Sequence, residues 1–181
     1  MVKLTSKSAA QGRLPLTIGT VQVTEVVDVS LTALAPYQGK EQAAALALKS
    51  AHGLDWPGPN QTTGAGSHAI WFGLHHIMLA GMAPDAALSQ TCAVTDQTDA
   101  WAVVDVVGPD AAAVLSRLTP VDLRDGAFAI GATARTDVQH MQGSVTRTAD
   151  HAYRVMVFRS MAKTLVHDLK TAMDAVATLN A

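Results

Sequence analysis

The sequence predicts an α+β fold: split β-α-β (ferredoxin-like) units with helices on one side of antiparallel sheets. Three observations lead there. The 181 residues are 49% apolar and 15% charged, enough to bury a sizeable core and too apolar for disorder. Strand-like and helix-like hydrophobic periods follow one another in the order β, α, β, β, α, β, α, β, β, β, α. Each helical segment is paired with flanking strands, which is the signature of split β-α-β units. The succession of elements nearly repeats around residue 95, without a clean sequence repeat. Residues 17–181 therefore read as one compact domain whose finer division into two subdomains falls near 95, and residues 1–16 as a flexible N-terminal arm.

That arm carries Lys3, Lys7 and Arg13 but lacks the apolar block of a signal peptide. Over 20–33 apolar residues fall on odd positions (Val21, Val23, Val27, Val29, Leu31, Ala33), so the spacing predicts a half-buried strand, or two joined by a bulge near Glu25 and Val26. Residues 39–51 form a helix, with Glu41 in the first turn, Lys49 in the last and Gly53 as C-cap. The stretch 55–66 (DWPGPNQTTGAG) is an exposed loop. Short strands over 69–72 and 76–80 and a brief helix over 84–90 follow.

The β-branched run 101–107 ends at Gly108-Pro109-Asp110, which opens a helix over 111–118 that Thr119-Pro120 stops. Strands are expected over 127–135, 138–147 and 151–158, the last two joined by a turn at Thr148-Ala149-Asp150. Ser160 then caps the longest helix, with Met161, Leu165, Leu169, Met173 and Val176 on its apolar face.

Thirteen Lys and Arg against fifteen Asp and Glu leave a net charge of -2, which supplies no field for nucleic acid or an anionic membrane. No segment reaches the roughly 18 unbroken apolar residues of a membrane span. The single Cys92 excludes an intramolecular disulfide and any Cys-based zinc site, so a cytoplasmic location is expected. A charged fraction well below the roughly 25% of an average globular chain suggests surface covered by another chain. Charge is also uneven. No Lys or Arg lies between Lys49 and Arg117, whereas eight follow residue 116, so the folded chain either neutralises itself across two faces or offers a complementary docking surface.

Chemical motifs are scarce. Gly64-Ala65-Gly66-Ser67-His68-Ala69 fits a loosened G-x-G-x-x-A, but a Pro-rich loop precedes it and a strand follows, which removes the helix N-terminus that pyrophosphate needs. No P-loop and no G-x-S-x-G occurs. His75 and His76 could share a metal only in a turn, because neighbours on a strand face opposite ways; structural or surface roles are favoured for the histidines, with His140 the one to watch. Cys92 has no cationic neighbour to activate it and reads as an inert buried thiol. Arg159 stands beside the positive end of the last helix, an arrangement that calls for an anion: an acid of this chain, a carboxylate of another subunit or a bound ligand.

The run Ala134-Arg135-Thr136, then His140, Arg147 and residues 153–165 (YRVMVFRSMAKTL), resembles the gamma subunit of heterotetrameric sarcosine oxidase, whose pattern there is an A-R-T strand, a histidine, an arginine and a β-run closing in R-S-[FYM]-A-x-[ST]-[LF]. Gly53 with residues 57–60, the strand 69–73 (AIWFG) and residues 103–115 resemble further blocks of that family. Where the family has glycine, proline, an acidic residue and then Trp-Leu, this chain has Gly73-Leu74-His75-His76-Ile77-Met78-Leu79.

The resemblance implies the aminomethyltransferase and folate-binding superfamily fold, and a noncatalytic structural subunit in an assembly that demethylates sarcosine to glycine, with hydrogen peroxide and either formaldehyde or 5,10-methylenetetrahydrofolate. It implies alpha, beta and delta partner chains that carry the FAD, FMN, NAD, zinc and tetrahydrofolate sites, and no cofactor or catalytic residue in this one. Arg135, His140, Arg147, Arg159 and Ser160 are the expected interface or anion contacts. Two other readings stand beside it: a stand-alone folate-dependent aminomethyltransferase-like protein, which needs a cleft with a carboxylate for the pterin, and a homo-oligomer without partners. The K-G-C-Y-x-G-Q motif of folate binders in iron-sulfur maintenance is missing, since the only cysteine sits in Gln90-Thr91-Cys92-Ala93-Val94.

Overall fold

A computed structural model describes residues 5–65 and 68–179. Eleven strands form two antiparallel sheets among these residues. The first sheet is built from β1 (Leu16–Ile18), β2 (Val21–Glu25), β8 (Trp101–Val107), β9 (Thr133–Val138), β10 (Met141–Ala149) and β11 (Ala152–Phe158), in the order β1-β2-β8-β11-β10-β9. The second holds β3 (Leu31–Pro36), β4 (Thr62–Thr63), β5 (His68–Gly73), β6 (His76–Ala80) and β7 (Cys92–Asp96), in the order β4-β5-β6-β3-β7. Helices α1 (Glu41–His52), α2 (Ala111–Leu115) and α3 (Ala162–Leu179) cover them.

Each sheet is a split β-α-β arrangement. In the second, β3 and β5 flank β6, and α1 makes the crossover. In the first, β8 and β10 flank β11 across α2, and β2 from the N-terminal end takes the outer place beside β8. The near-repeat in the sequence is thus a repeat of topology. The strands' alternation sorts their side chains into layers. Ala102, Val104, Val106, Val155 and Val157 join α2 and α3 in one core, and Leu34, Ile77 and Leu79 join α1 in another. The intervening residues Trp101, Val103 and Met156 of the first sheet meet Leu31, Ile70, Phe72, Met78 and Ala80 of the second. The order is helices, sheet, sheet, helix, and both faces of the central strands are covered, which is why 101–107 is apolar at every position but Asp105.

Several elements differ from expectation. The 20–33 segment is two strands in different sheets: Val26 N–H still bonds Val103 O, Asp28 then turns the backbone to φ 57°, and β3 starts on the other sheet. The strand expected over 127–135 begins only at Thr133, because Ala127 and Phe128 N–H both bond Arg124 O in a turn. Val138 ends β9, and Gln139-His140 is the hairpin turn before β10. Helix α2 stops at Leu115, and residues 86–90 form a 3-10 turn whose start is fixed by Ala87 N–H donating to the Asp85 carboxylate. β7, unforeseen, is an edge strand beside β3. Ser160 caps nothing: it lies exposed in a 3-10 turn, Arg159–Met161, ahead of α3, and Met161 is exposed while Leu165, Leu169, Met173 and Val176 are buried.

Two segments read as loose in sequence are tied down. Within 1–16, Ala10 is buried and its N–H donates to Glu25 Oε1 at 2.7 Å, while Leu16 opens β1. In the 55–66 loop, Thr62 N–H bonds Gly131 O and Thr133 N–H bonds Asn60 O, so this loop joins the edge of the first sheet to the second. Gly53 ends α1 in the left-handed conformation, as its position predicts.

Candidate functional site

The seam between the sheets holds an unusual set of polar groups. Across the first sheet Val103, Met156, Ser144 and Arg135 lie directly opposite one another in successive strands. Because Val103 and Met156 pack into the seam, Arg135 on the edge strand β9 points there as well. Its guanidinium carbon sits 4.3 Å from the centre of the Phe72 ring and 5.3 Å from that of Trp101. Phe72 meets Trp101 edge-on at 5.1 Å, and Trp101 stacks on Phe158 at 4.8 Å. His76 sets its ring against Phe72 at 6.0 Å.

No carboxylate of the described residues lies within 4.0 Å of Arg135. Its Nη1, the Trp101 Nε1 and the Ser144 Oγ are buried without a hydrogen-bond partner. Burial lowers the Arg135 pKa, and burial followed by the charges of Arg135 and His75 lowers that of His76. Beside Arg135 opens a cavity of about 390 Å³ that Thr136, Asp137 and Gln142 also line.

One step along the strands, the same face carries Asp105, Arg154, Thr146 and Thr133. Arg154 grips Asp105 with Nε at 2.8 Å and Nη2 at 2.9 Å, a bidentate pair. His68, across the seam, has a buried Nδ1 without a partner, and its pKa is lowered by burial and then by the Arg154 charge. A cavity of about 280 Å³ reaches His68, Arg147 and Arg154.

The five residues singled out from sequence do not converge. Arg147 is buried and answered from within: Asp125 at 2.7 Å, the Phe128 carbonyl at 2.9 Å and Asp150 at 3.1 Å. Arg159 lies 3.8 Å from Asp99 and donates to the Lys7 carbonyl at 2.5 Å. His140 is exposed in its turn and Ser160 is exposed in the other. Arg135 alone of the three arginines keeps an unanswered charge. The pairs Asp105–Arg154 and Asp99–Arg159 join the acidic middle of the chain to its basic last third, so part of the charge asymmetry is spent inside the molecule.

Sequence reasoning missed Phe72, Trp101 and Phe158 as the setting of Arg135, and also Asp105. The signal for Asp105 was present: an acid within the apolar run 101–107 must have a cation opposite it. Gly66 and Ser67 of the glycine motif lie outside the described residues. Among the described residues no three His, Cys, Asp or Glu gather as a metal site. A cavity of about 640 Å³ has Asp122 as its one titratable lining residue among those described, and hydrogen bonds from Arg124 hold the pKa of that carboxyl at about 2. Burial raises the pKa of the Cys92 thiol. No described helix is long and apolar enough to cross a membrane.

No family model and no curated protein matches the chain. Solved structures do. The chain is similar to one chain of heterotetrameric sarcosine oxidase from Corynebacterium sp. U-96, solved in complex with pyrrole 2-carboxylate, at 22% identity and TM-score 0.81, covering 95% of this chain and 96% of that one. It is also similar to glycine cleavage system aminomethyltransferase T from Bartonella henselae, at 16% identity and TM-score 0.54, covering 84% of this chain and 46% of that one. The α+β arrangement of two antiparallel sheets is the fold that these proteins share with this chain.

Proposed function

We propose that this chain is the noncatalytic gamma subunit of a heterotetrameric sarcosine oxidase, an assembly that demethylates sarcosine to glycine in the cytoplasm. The observation that carries the reading is the end-to-end correspondence with one chain of such an enzyme, 95% of this chain against 96% of that one. In this reading alpha, beta and delta chains hold FAD, FMN, NAD, zinc and tetrahydrofolate, and this chain supplies surface. Its polar groups suit that role. Arg147 and Arg154 are engaged with acids of the same chain. A self-sufficient aminomethyl transferase needs a free carboxylate in a cleft of ligand size. Asp122, in the cavity of about 640 Å³, accepts three hydrogen bonds from the Arg124 guanidinium, whereas Asp137, in that of about 390 Å³, is exposed and shares its cavity with the Arg135 charge.

The test is purification of the tagged chain from its native source beside the isolated chain. The expected result is a flavin-bearing complex that oxidises sarcosine, and an isolated chain that does not. Tetrahydrofolate at 100 times its dissociation constant stabilises a binder by about 2.7 kcal/mol. Such a thermal shift in the isolated chain, or sarcosine turnover by it, overturns the reading.

A further inference from the structure

Arg135 departs from the pattern set by the other cations among the described residues. Lys7, Arg13, Lys40, Arg117 and Lys163 also lack a carboxylate within 4.0 Å, but all five are exposed, where water serves them. Arg135 is half-buried, with Nη1 sealed and unpartnered. Its Nε and Nη2 are not among the sealed atoms and make no hydrogen bond with the described residues, so they remain open to a partner from outside. Asp137 lines the same cavity yet stays beyond ion-pairing distance. A half-desolvated cation without an acceptor is a cost that a matching anion removes.

The surroundings specify the source of that anion. Phe158 stacks on Trp101, one ring removed from Arg135, and is 46% exposed; Met161, three residues on, is 41% exposed. A free small carboxylate held by one guanidinium gains little in water. A carboxylate borne on a protein surface arrives with apolar area that covers Phe158 and dries the pair, and Arg and aromatic residues together are the usual anchors of such contacts. We infer that Arg135, with the exposed Phe158 one ring away across Trp101, is a docking point that receives an aspartate or glutamate side chain of one of the larger partner chains. The inference rests on the subunit reading above.

The experiment is assembly of the chain with the flavin-bearing chains, as wild type, R135Q, R135K, F158A and D99N, with the dissociation constant measured at two salt concentrations and near-UV circular dichroism reporting the Trp101 environment. R135Q is expected to weaken assembly about tenfold to hundredfold. R135K keeps the charge without the planar fork and falls between, F158A weakens assembly at both salt concentrations, and D99N matches wild type. If R135Q does not fold, R135K and F158A decide. R135Q, or in its place both R135K and F158A, within twofold of a wild type that does assemble overturns the docking point and leaves the subunit reading standing. Failure of the wild type to assemble overturns both. A dimer of this chain that R135Q dissociates overturns the partner chain as occupant in favour of a second copy.

Discussion

Replacing Arg147 with methionine isolates what the buried guanidinium does for the fold. Its side chain is 5% exposed, whereas Asp125 and Asp150 are 85% and 71% exposed. Once the cation is gone both carboxylates regain water, so each lost pair costs only about 0 to 1 kcal/mol. The Phe128 carbonyl is different: it is buried, Arg147 Nη1 donates to it at 2.9 Å, and an orphaned acceptor there costs about 1 to 3 kcal/mol. Methionine refills most of the volume beside Tyr153 and keeps the cavity small. The expected loss is about 2 to 4 kcal/mol. For a chain of this size that lowers Tm by roughly 5 to 15 °C. D125N, which leaves Asp150 and the carbonyl bond in place, should cost under about 1 kcal/mol. Thermal melts of the three proteins at pH 7 check the ranking. An R147M Tm within 1 °C of wild type, or a larger loss in D125N, refutes the assignment of the energy to the carbonyl.

Acid should destabilise the protein through its seam. His68 and His76 are held neutral below the ordinary 6.5 by burial and then by the charges of Arg154, Arg135 and His75. The unfolded imidazoles take up protons that the folded ones refuse, so stability is complete above about pH 6.5 and declines as pH falls below it. Tm is expected to drop between pH 7.5 and 5.5, less steeply in the H68Q/H76Q double variant; equal slopes would count against it. G108A should unfold more easily by at least about 2 kcal/mol, since Gly108 holds φ 142° and an added Cβ would run into the Thr20 carbonyl oxygen. Denaturant titration reads this directly, and a change under about 0.5 kcal/mol contradicts the close approach.

What the sequence disclosed follows from how local each signal is. The bounds of β6 and β8 were legible to the residue because their apolar runs end at Gly81 and Gly108, and the helix α1, read over 39–51 and found over Glu41–His52, because Glu41, Lys49 and Gly53 mark its two ends. β7 escaped because it is an edge strand with only Cys92 buried, too little periodicity to register. The start of β9 was misplaced because small apolar residues over 127–132 imitate a strand, while the turn that excludes them depends on backbone bonds to Arg124. Arg135 could be named from its neighbours in sequence, but Phe72 is more than sixty residues away and lies in the other sheet. Proximity across the seam exists only once both sheets are folded, and no local pattern carries it.

The two kinds of interior in this molecule differ in a way that bears on its use. Apart from Arg147 beside Tyr153, the cores beneath the helices are apolar, whereas among the described residues four of the five buried polar atoms without partners, on His68, Trp101, Arg135 and Ser144, belong to the layer between the sheets. Native interiors satisfy nearly all such groups, so a cluster of exceptions in one layer marks the place where packing alone does not account for the residues present. The exceptions are graded. His68 and Ser144 bear the modest cost of a lost hydrogen bond; Arg135 is a cation, half-buried on the edge strand β9. A chain that folds alone gains nothing by keeping an unanswered guanidinium there, and hydrophobic residues of similar volume would pack at least as well. A chain that docks gains an anchor whose cost is removed at the moment of contact. The position of Arg135 is therefore better explained by what covers it than by what lies beneath it.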